Sequence, residues 1–194
     1  CDRRQRQMCI RDSNNGITGK DTLFIQKASV TVNAVNHGIN GKDSLTIKDA
    51  DITVTSGGDA LRSTNDSDTT LGYLVITGSA LKLTAGEDGI QAETTLTISG
   101  GTATVTTAGG AGQSISDDTS AKGLKAGTQV TVTGGTFQLN CCDDAIHSNG
   151  DVTISGGSFT IATGDDGMHA DDTLSISSGT IAVSYTHLTL PTIA

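Results

Sequence analysis

The stretch Cys141–Ile181, CCDDAIHSNGDVTISGGSFTIATGDDGMHADDTLSISSGTI, carries one pattern twice. In each copy an acidic pair, Asp143–Asp144 or Asp165–Asp166, precedes an aliphatic anchor, Ile146 or Met168. Six and eight residues after the anchor comes an apolar pair, Val152/Ile154 or Leu174/Ile176. Thirteen and fifteen after it comes another, Phe159/Ile161 or Ile181/Val183. Within a pair the apolar residues alternate with Thr, Ser or Ala, the mark of a short strand with one buried and one wet face. Between the pairs stand SGG or SSG, where a tight corner favours glycine.

Outward from this stretch the same anchor recurs as Ile17, Ile39, Leu61, Ile90 and Leu124, so that the successive intervals are 22, 22, 29, 34, 22 and 22 residues. A fixed period with matched residue types marks a repeat architecture, because one such unit cannot bury its own apolar face. The expected fold is all-β: a right-handed, single-stranded parallel β-helix, a solenoid of about seven coils of roughly 22 residues over 14–183, with three aliphatic columns inside. An antiparallel sandwich would also explain the alternation, but it supplies no reason for the period. The longer intervals hold RSTNDSDTTLGY (62–73) and AGGAGQSISDDTSA (108–121), which read as loops inserted in the repeat.

Residues 1–13 and 184–194 match nothing in the pattern. The strings CDRRQRQMCIRDS and SYTHLTLPTIA resemble translated sequencing-adapter read-through and are expected to be a non-native leader and tail. Between them, 14–183 holds 19 acidic and eight basic side chains, a net of −11. That balance, with no basic stripe, argues against a nucleic-acid partner. No apolar run reaches the ~20 residues a membrane-spanning helix needs. With no Trp, three Phe and two Tyr in the whole chain, the interior must be built of small aliphatics.

Parallel stacking at a 22-residue period would bring Asp143 beside Asp165 and Asp144 beside Asp166. Opposed like charges destabilise a sheet, and a hard cation that takes oxygen ligands would turn that cost into a site. The expected Ca²⁺ ligands are Asp143, Asp144, Asp165 and Asp166, with Glu87 and Asp88 as a weaker copy and Asp171 and Asp172 across the corner; turn chemistry of Asp is the competing reading. His147 and His169 follow their anchors, should point outward, and should stack in a column with Thr18, Asn40, Arg62, Gln91 and Lys125. Of these, His147, His169, Arg62, Gln91 and Lys125 are the candidate carbohydrate contacts, against the alternative of a plain solvated face. Cys141 and Cys142 are sequence neighbours whose alternating directions place at most one inside, and they establish neither a disulfide framework nor a thiol nucleophile.

On these residues the chain resembles the calcium-dependent carbohydrate-binding β-helix family of bacterial extracellular and cell-surface proteins, with a pectate-lyase-like architecture. The pattern DDxIHxxxxxxIxxGxxxI is most complete over Cys141–Ile181, and weaker copies extend it over 14–183. Asn15, His37 and Lys122 depart from its acidic pair. The resemblance implies a secreted or cell-surface module that binds plant or microbial cell-wall polysaccharide, acidic pectic chains included, with Ca²⁺ as cofactor and without catalysis. It would act as a monomer or as part of a larger surface protein. One alternative is a pectate-lyase-like polysaccharide lyase, for which Arg62 or Lys125 would serve as base. Another is a structural stalk or adhesin.

Overall fold

A computed structural model describes residues 15–116 and 119–185. The expected leader lies outside the described residues, and so does the expected tail except for Ser184 and Tyr185, which finish the last strand. Alternating Val, Ile, Leu and Thr make strands throughout, in seven successive sets. The first set is β1 (Ile17–Gly19), β2 (Thr22–Gln26) and β3 (Ser29–Ala34), and the second β4 (Ile39–Gly41), β5 (Ser44–Lys48) and β6 (Asp51–Ser56). The third is β7 (Leu61–Ser63), β8 (Tyr73–Thr77) and β9 (Ala80–Ala85). In the next two sets one long strand follows the short one: β10 (Ile90–Ala92) with β11 (Thr95–Thr107), then β12 (Leu124–Ala126) with β13 (Gln129–Cys141). The sixth is β14 (Ile146–Ser148), β15 (Asp151–Ile154) and β16 (Ser158–Thr163), and the seventh β17 (His169–Ala170), β18 (Leu174–Ile176) and β19 (Thr180–Tyr185).

Hydrogen bonding sorts these strands into two discrete sheets. One has seven short strands in the order β1-β4-β7-β10-β12-β14-β17, and the other has twelve. Every pairing is parallel and joins equivalent positions of neighbouring sets, as in Ile17 with Ile39, Leu124 with Ile146 and Phe137 with Phe159. The expectation of a continuous single-stranded β-helical solenoid of pectate-lyase type, with three strands and three corners in each coil, is therefore corrected to two separate sheets.

The reason lies in the glycine pairs that the sequence reading took as corners. At Gly100 and Gly101, with φ of 75° and 90°, β11 bends without ending. Its ladder to β13 is interrupted only by register shifts around Ser99 and resumes at Thr102. A side chain at Gly101 would put its Cβ 2.2 Å from the Ser79 carbonyl oxygen, so only glycine lets the two backbones approach there. Both arms of the bend belong to one sheet, and the expected third face is a continuation of the second.

Between the sheets lies one aliphatic core. Ile39, Leu61, Ile90, Leu124 and Ile146 are fully buried, and so are Leu45, Leu74, Leu96, Val130 and Val152 on the facing sheet. Stacking places like on like, so the two interior phenylalanines, Phe137 and Phe159, lie face to face with centroids 4.6 Å apart and planes within 6°. Cys141 is buried in this core, and Cys142 is buried as well, its Sγ donating to the Gln113 carbonyl at 3.1 Å. Both thiols are free. The alternation argument missed Cys142 because the inserted segment after β11 covers it from outside. In the core, Leu96→Ala should cost about 2–5 kcal/mol of unfolding free energy, whereas Thr104→Ala on the wet face of β11 should stay within about 0.5 kcal/mol; urea denaturation midpoints check both.

Candidate functional site

Six strands of the seven-stranded sheet are three residues long with the middle side chain outward, and the two-residue β17 begins at its outward residue, His169. Register makes these a single file: Thr18, Asn40, Arg62, Gln91, Lys125, His147 and His169 are successive partners. Neighbours in such a file stand about 4.8 Å apart along the hydrogen-bonding direction. His147 and His169 stack, with ring centroids 5.0 Å apart.

Two residues before each anchor runs a second file whose work is backbone hydrogen bonding. The Asn15 Oδ1 accepts from the His37 N–H at 3.3 Å, His37 Nδ1 from the Asp59 N–H at 3.0 Å, Asp59 Oδ1 from the Asp88 N–H at 3.1 Å, and Asp88 Oδ1 from the Lys122 N–H at 2.8 Å. The pattern resumes with Asp144 Oδ1, which accepts from the Asp166 N–H at 3.0 Å. Buried N–H groups need acceptors, and Asn, Asp and neutral His all supply one; lysine has none. Where Lys122 occupies the file, the Asp144 N–H turns instead to its neighbour Asp143, at 2.8 Å.

The remaining carboxylate oxygens of this file face the outward file. Asp59 Oδ2 lies 3.4 Å from Arg62 Nη1, Asp88 Oδ2 3.2 Å from Lys125 Nζ, Asp144 Oδ2 2.9 Å from His147 Nδ1, and Asp166 Oδ2 3.1 Å from His169 Nδ1. Asn149 Oδ1 and Asp171 Oδ1 hold the far nitrogens of the two histidines at 3.0 and 3.1 Å. Lys125 Nζ also donates to Ser120, whose hydroxyl donates in turn to Asp88. Lys122 Nζ stands 2.6 Å from Asp143 and 3.2 Å from Asp144. Gln91 sits in the file between Arg62 and Lys125, Glu87 lies near His37 and Asp59, and the carboxylate of Asp172 engages nothing among the described residues. Sequence reasoning names His37 and Lys122 only as departures from the acidic pair, and gives Asp59 and Ser120 no role. The spacing Asp-x-x-Arg or Asp-x-x-His at 59/62, 144/147 and 166/169 was the available signal.

A family model described as "Carbohydrate-binding domain-containing protein" matches residues 9–167, most of the chain. The chain belongs to that family. No curated protein and no solved structure matches it. Its general role as a carbohydrate-binding domain gives the outward file a chemistry to perform, since amide, imidazole, ammonium and guanidinium groups in a row can all hydrogen-bond sugar hydroxyls.

The charge state of this face follows from its neighbours. Burial would raise Asp144, but the hydrogen bond with His147, the Lys122 ammonium and the Asp166 N–H hold its carboxyl down at about 2. Burial also works against the charge of Lys122, yet its bond to Asp143 and the charges of Asp144 and Asp143 keep the ammonium above the ordinary lysine range. Asp165 is pushed up, first by partial burial and then by the charges of Asp144, Asp166 and Asp143. Carboxylate oxygens of Asp143, Asp144 and Asp165 lie within 4.8 Å of one another, which suits a hard cation in donor type. Lys122 already neutralises two of the three, so a Ca²⁺ ion at this cluster has to compete with an ammonium. Burial drives the Cys141 thiol up to about 12, and burial likewise raises Cys142, so neither is a thiolate near neutrality.

At His37 and Asp59 the same geometry works in opposite directions. Burial, with the nearby Arg62 charge, lowers His37 to about 4; burial, with the Asp88 charge, raises Asp59 to about 6 against the pull of Arg62. A histidine lowered on folding makes stability rise with pH from about 4 to 6.5, whereas an aspartate raised on folding makes it fall from about 4 to 6. Asp59→Asn keeps an acceptor for the Asp88 N–H and should leave a melting temperature that climbs across that window. His37→Asn keeps an acceptor for the Asp59 N–H and should leave one that declines; parallel profiles for the two variants would contradict the assignment.

Proposed function

We propose that this chain is a noncatalytic module that binds cell-wall polysaccharide along the outer face of the seven-stranded sheet, at the bacterial surface or outside the cell. The observation that carries this reading is the unbroken file from Thr18 to His169, seven polar side chains in register on seven parallel strands. A linear polymer laid along it meets one modest contact after another, and contacts linked in one chain add strength without any deep pocket. His147, His169, Arg62, Gln91 and Lys125 are the proposed sugar contacts.

Absence of catalysis is supported by the state of the two groups that could act as a lyase base. Arg62 is ion-paired with Asp59, and Lys125 with Asp88, so both side chains are engaged by buried carboxylates and neither is free to approach a substrate proton. A general base has to reach the proton it takes within hydrogen-bond distance. Calcium enters this reading as a ligand of Asp143 and Asp165 in the cleft that Ile115, Ser116, Thr119 and Gly164 also line, where the Lys122 ammonium is its rival.

In affinity electrophoresis the protein should be retarded by polygalacturonate or a neutral cell-wall glucan. Removing two adjacent contacts, Lys125→Ala with His147→Ala, should weaken retardation about tenfold or more, with no unsaturated oligouronide released by either form. Retardation unchanged in that variant would refute the assignment of the face. For calcium, the ion should raise the melting temperature, and Lys122→Gln should enlarge that rise by removing the competitor; a smaller rise in the variant would exclude the site.

A further inference from the structure

At the opposite end of the outward file from the histidines, a cleft of about 450 Å³ is lined by Thr18, Gly19, Lys20, Asp21, Asn40, Lys42 and Thr64. It is unlike the rest of the molecule in two respects. The first is charge. Lys20 and Lys42 are exposed side chains at equivalent positions of neighbouring sets, and neither forms an ion pair or a side-chain hydrogen bond among the described residues. With Asp21 as the only acid in the lining, the cleft is locally positive in a protein whose net charge is −9. Every other basic side chain on this face, Arg62, Lys122 and Lys125, is tied to an aspartate.

The second respect is an unmet hydrogen-bonding need. Asn40 is 92% buried, at 8% exposure, and its Oδ1 has no partner; the Nε of Arg62, its partner in the sheet register, is likewise buried and unpaired. Buried polar atoms are rarely left so, because the omission costs stability. Of the two residues it is Asn40 that lines the cleft, and an orphaned acceptor there is the complement of a sugar hydroxyl, which can donate to it.

We propose that this cleft is a subsite for an acidic sugar, with the anionic group of the residue between Lys20 and Lys42 and one of its hydroxyls donating to Asn40, which lines the cleft. This inference rests on the reading of the face as a polysaccharide track and deepens it. It assigns charge recognition to two lysines directly, without a bridging metal. Carboxylate and sulfate share the chemistry that an ammonium pair recognises.

The test is affinity electrophoresis with a chelator present throughout, on galacturonate oligomers, on the same oligomers fully methyl-esterified, and on dextran sulfate. The variants are Lys20→Gln with Lys42→Gln, and separately Asn40→Asp, which sets a like charge beside the bound anion. Wild-type protein should be retarded by an acidic polymer. The double lysine variant should lose about tenfold of that affinity, as expected for loss of a charged hydrogen bond, while its retardation by the methyl ester stays within about twofold of wild type. Asn40→Asp should weaken binding of the acidic polymer more than that of the ester. Loss on galacturonate identifies the anion as a carboxylate, and loss on dextran sulfate alone as a sulfate. If wild type binds the neutral ester but no acidic polymer, or if the double variant matches wild type on both, the subsite is refuted and the polysaccharide track stands. If wild type binds none of the three and no neutral glucan, the track and the subsite fall together.

Discussion

Everything in this molecule depends on parallel pairing in which each residue lies directly beside its own equivalent from the neighbouring set. In the interior that constraint is favourable, because it sets aliphatic on aliphatic, and it even places one phenylalanine flat on another. At the surface it is costly wherever the repeated residue is charged. The structure meets the cost by giving Asp59, Asp88 and Asp144 of the inner file two separate duties each. One oxygen accepts a backbone N–H from the next set, and the other faces a cation or imidazole of the outer file. Acidic residues that look redundant in the sequence are thus part of the frame that aligns the outward side chains.

Much of this was legible in advance. The 22-residue interval and the pairs at fixed offsets located most strands and the outward file residue by residue, because both follow from alternation and period alone. What could not be read was how the glycine pairs behave. Ser99-Gly100-Gly101 looks like a corner between two strands, yet whether a ladder breaks or merely bends at a positive-φ glycine is decided by the backbone passing alongside, here Ser79. That choice turned a three-faced solenoid into two sheets.

The site shows the same division. His147 beside His169 follows from the period. The role of Lys122 does not, because its ammonium reaches back to Asp143 and Asp144 across the set boundary, and no spacing rule announces a contact made by a long flexible side chain. Reading the aspartates as a group suggested an empty acidic ladder. Reading each with the residue three positions on, as Asp59 with Arg62 or Asp144 with His147, would have shown most of them already engaged.

The hydrogen bond from the inner file to the following backbone has an evolutionary consequence. Asn15, His37, Asp59, Asp88 and Asp144 are chemically different, but each offers the next set the same thing, one acceptor at one height. The joint between units is consequently generic, and a whole unit can be duplicated or deleted by recombination without redesigning its neighbours. Lys122 marks the boundary where this freedom fails, since the unit after it must bring its own acceptor, as Asp143 does. The length of the outward polar file is therefore a quantity that selection can adjust in whole steps on either side of that boundary.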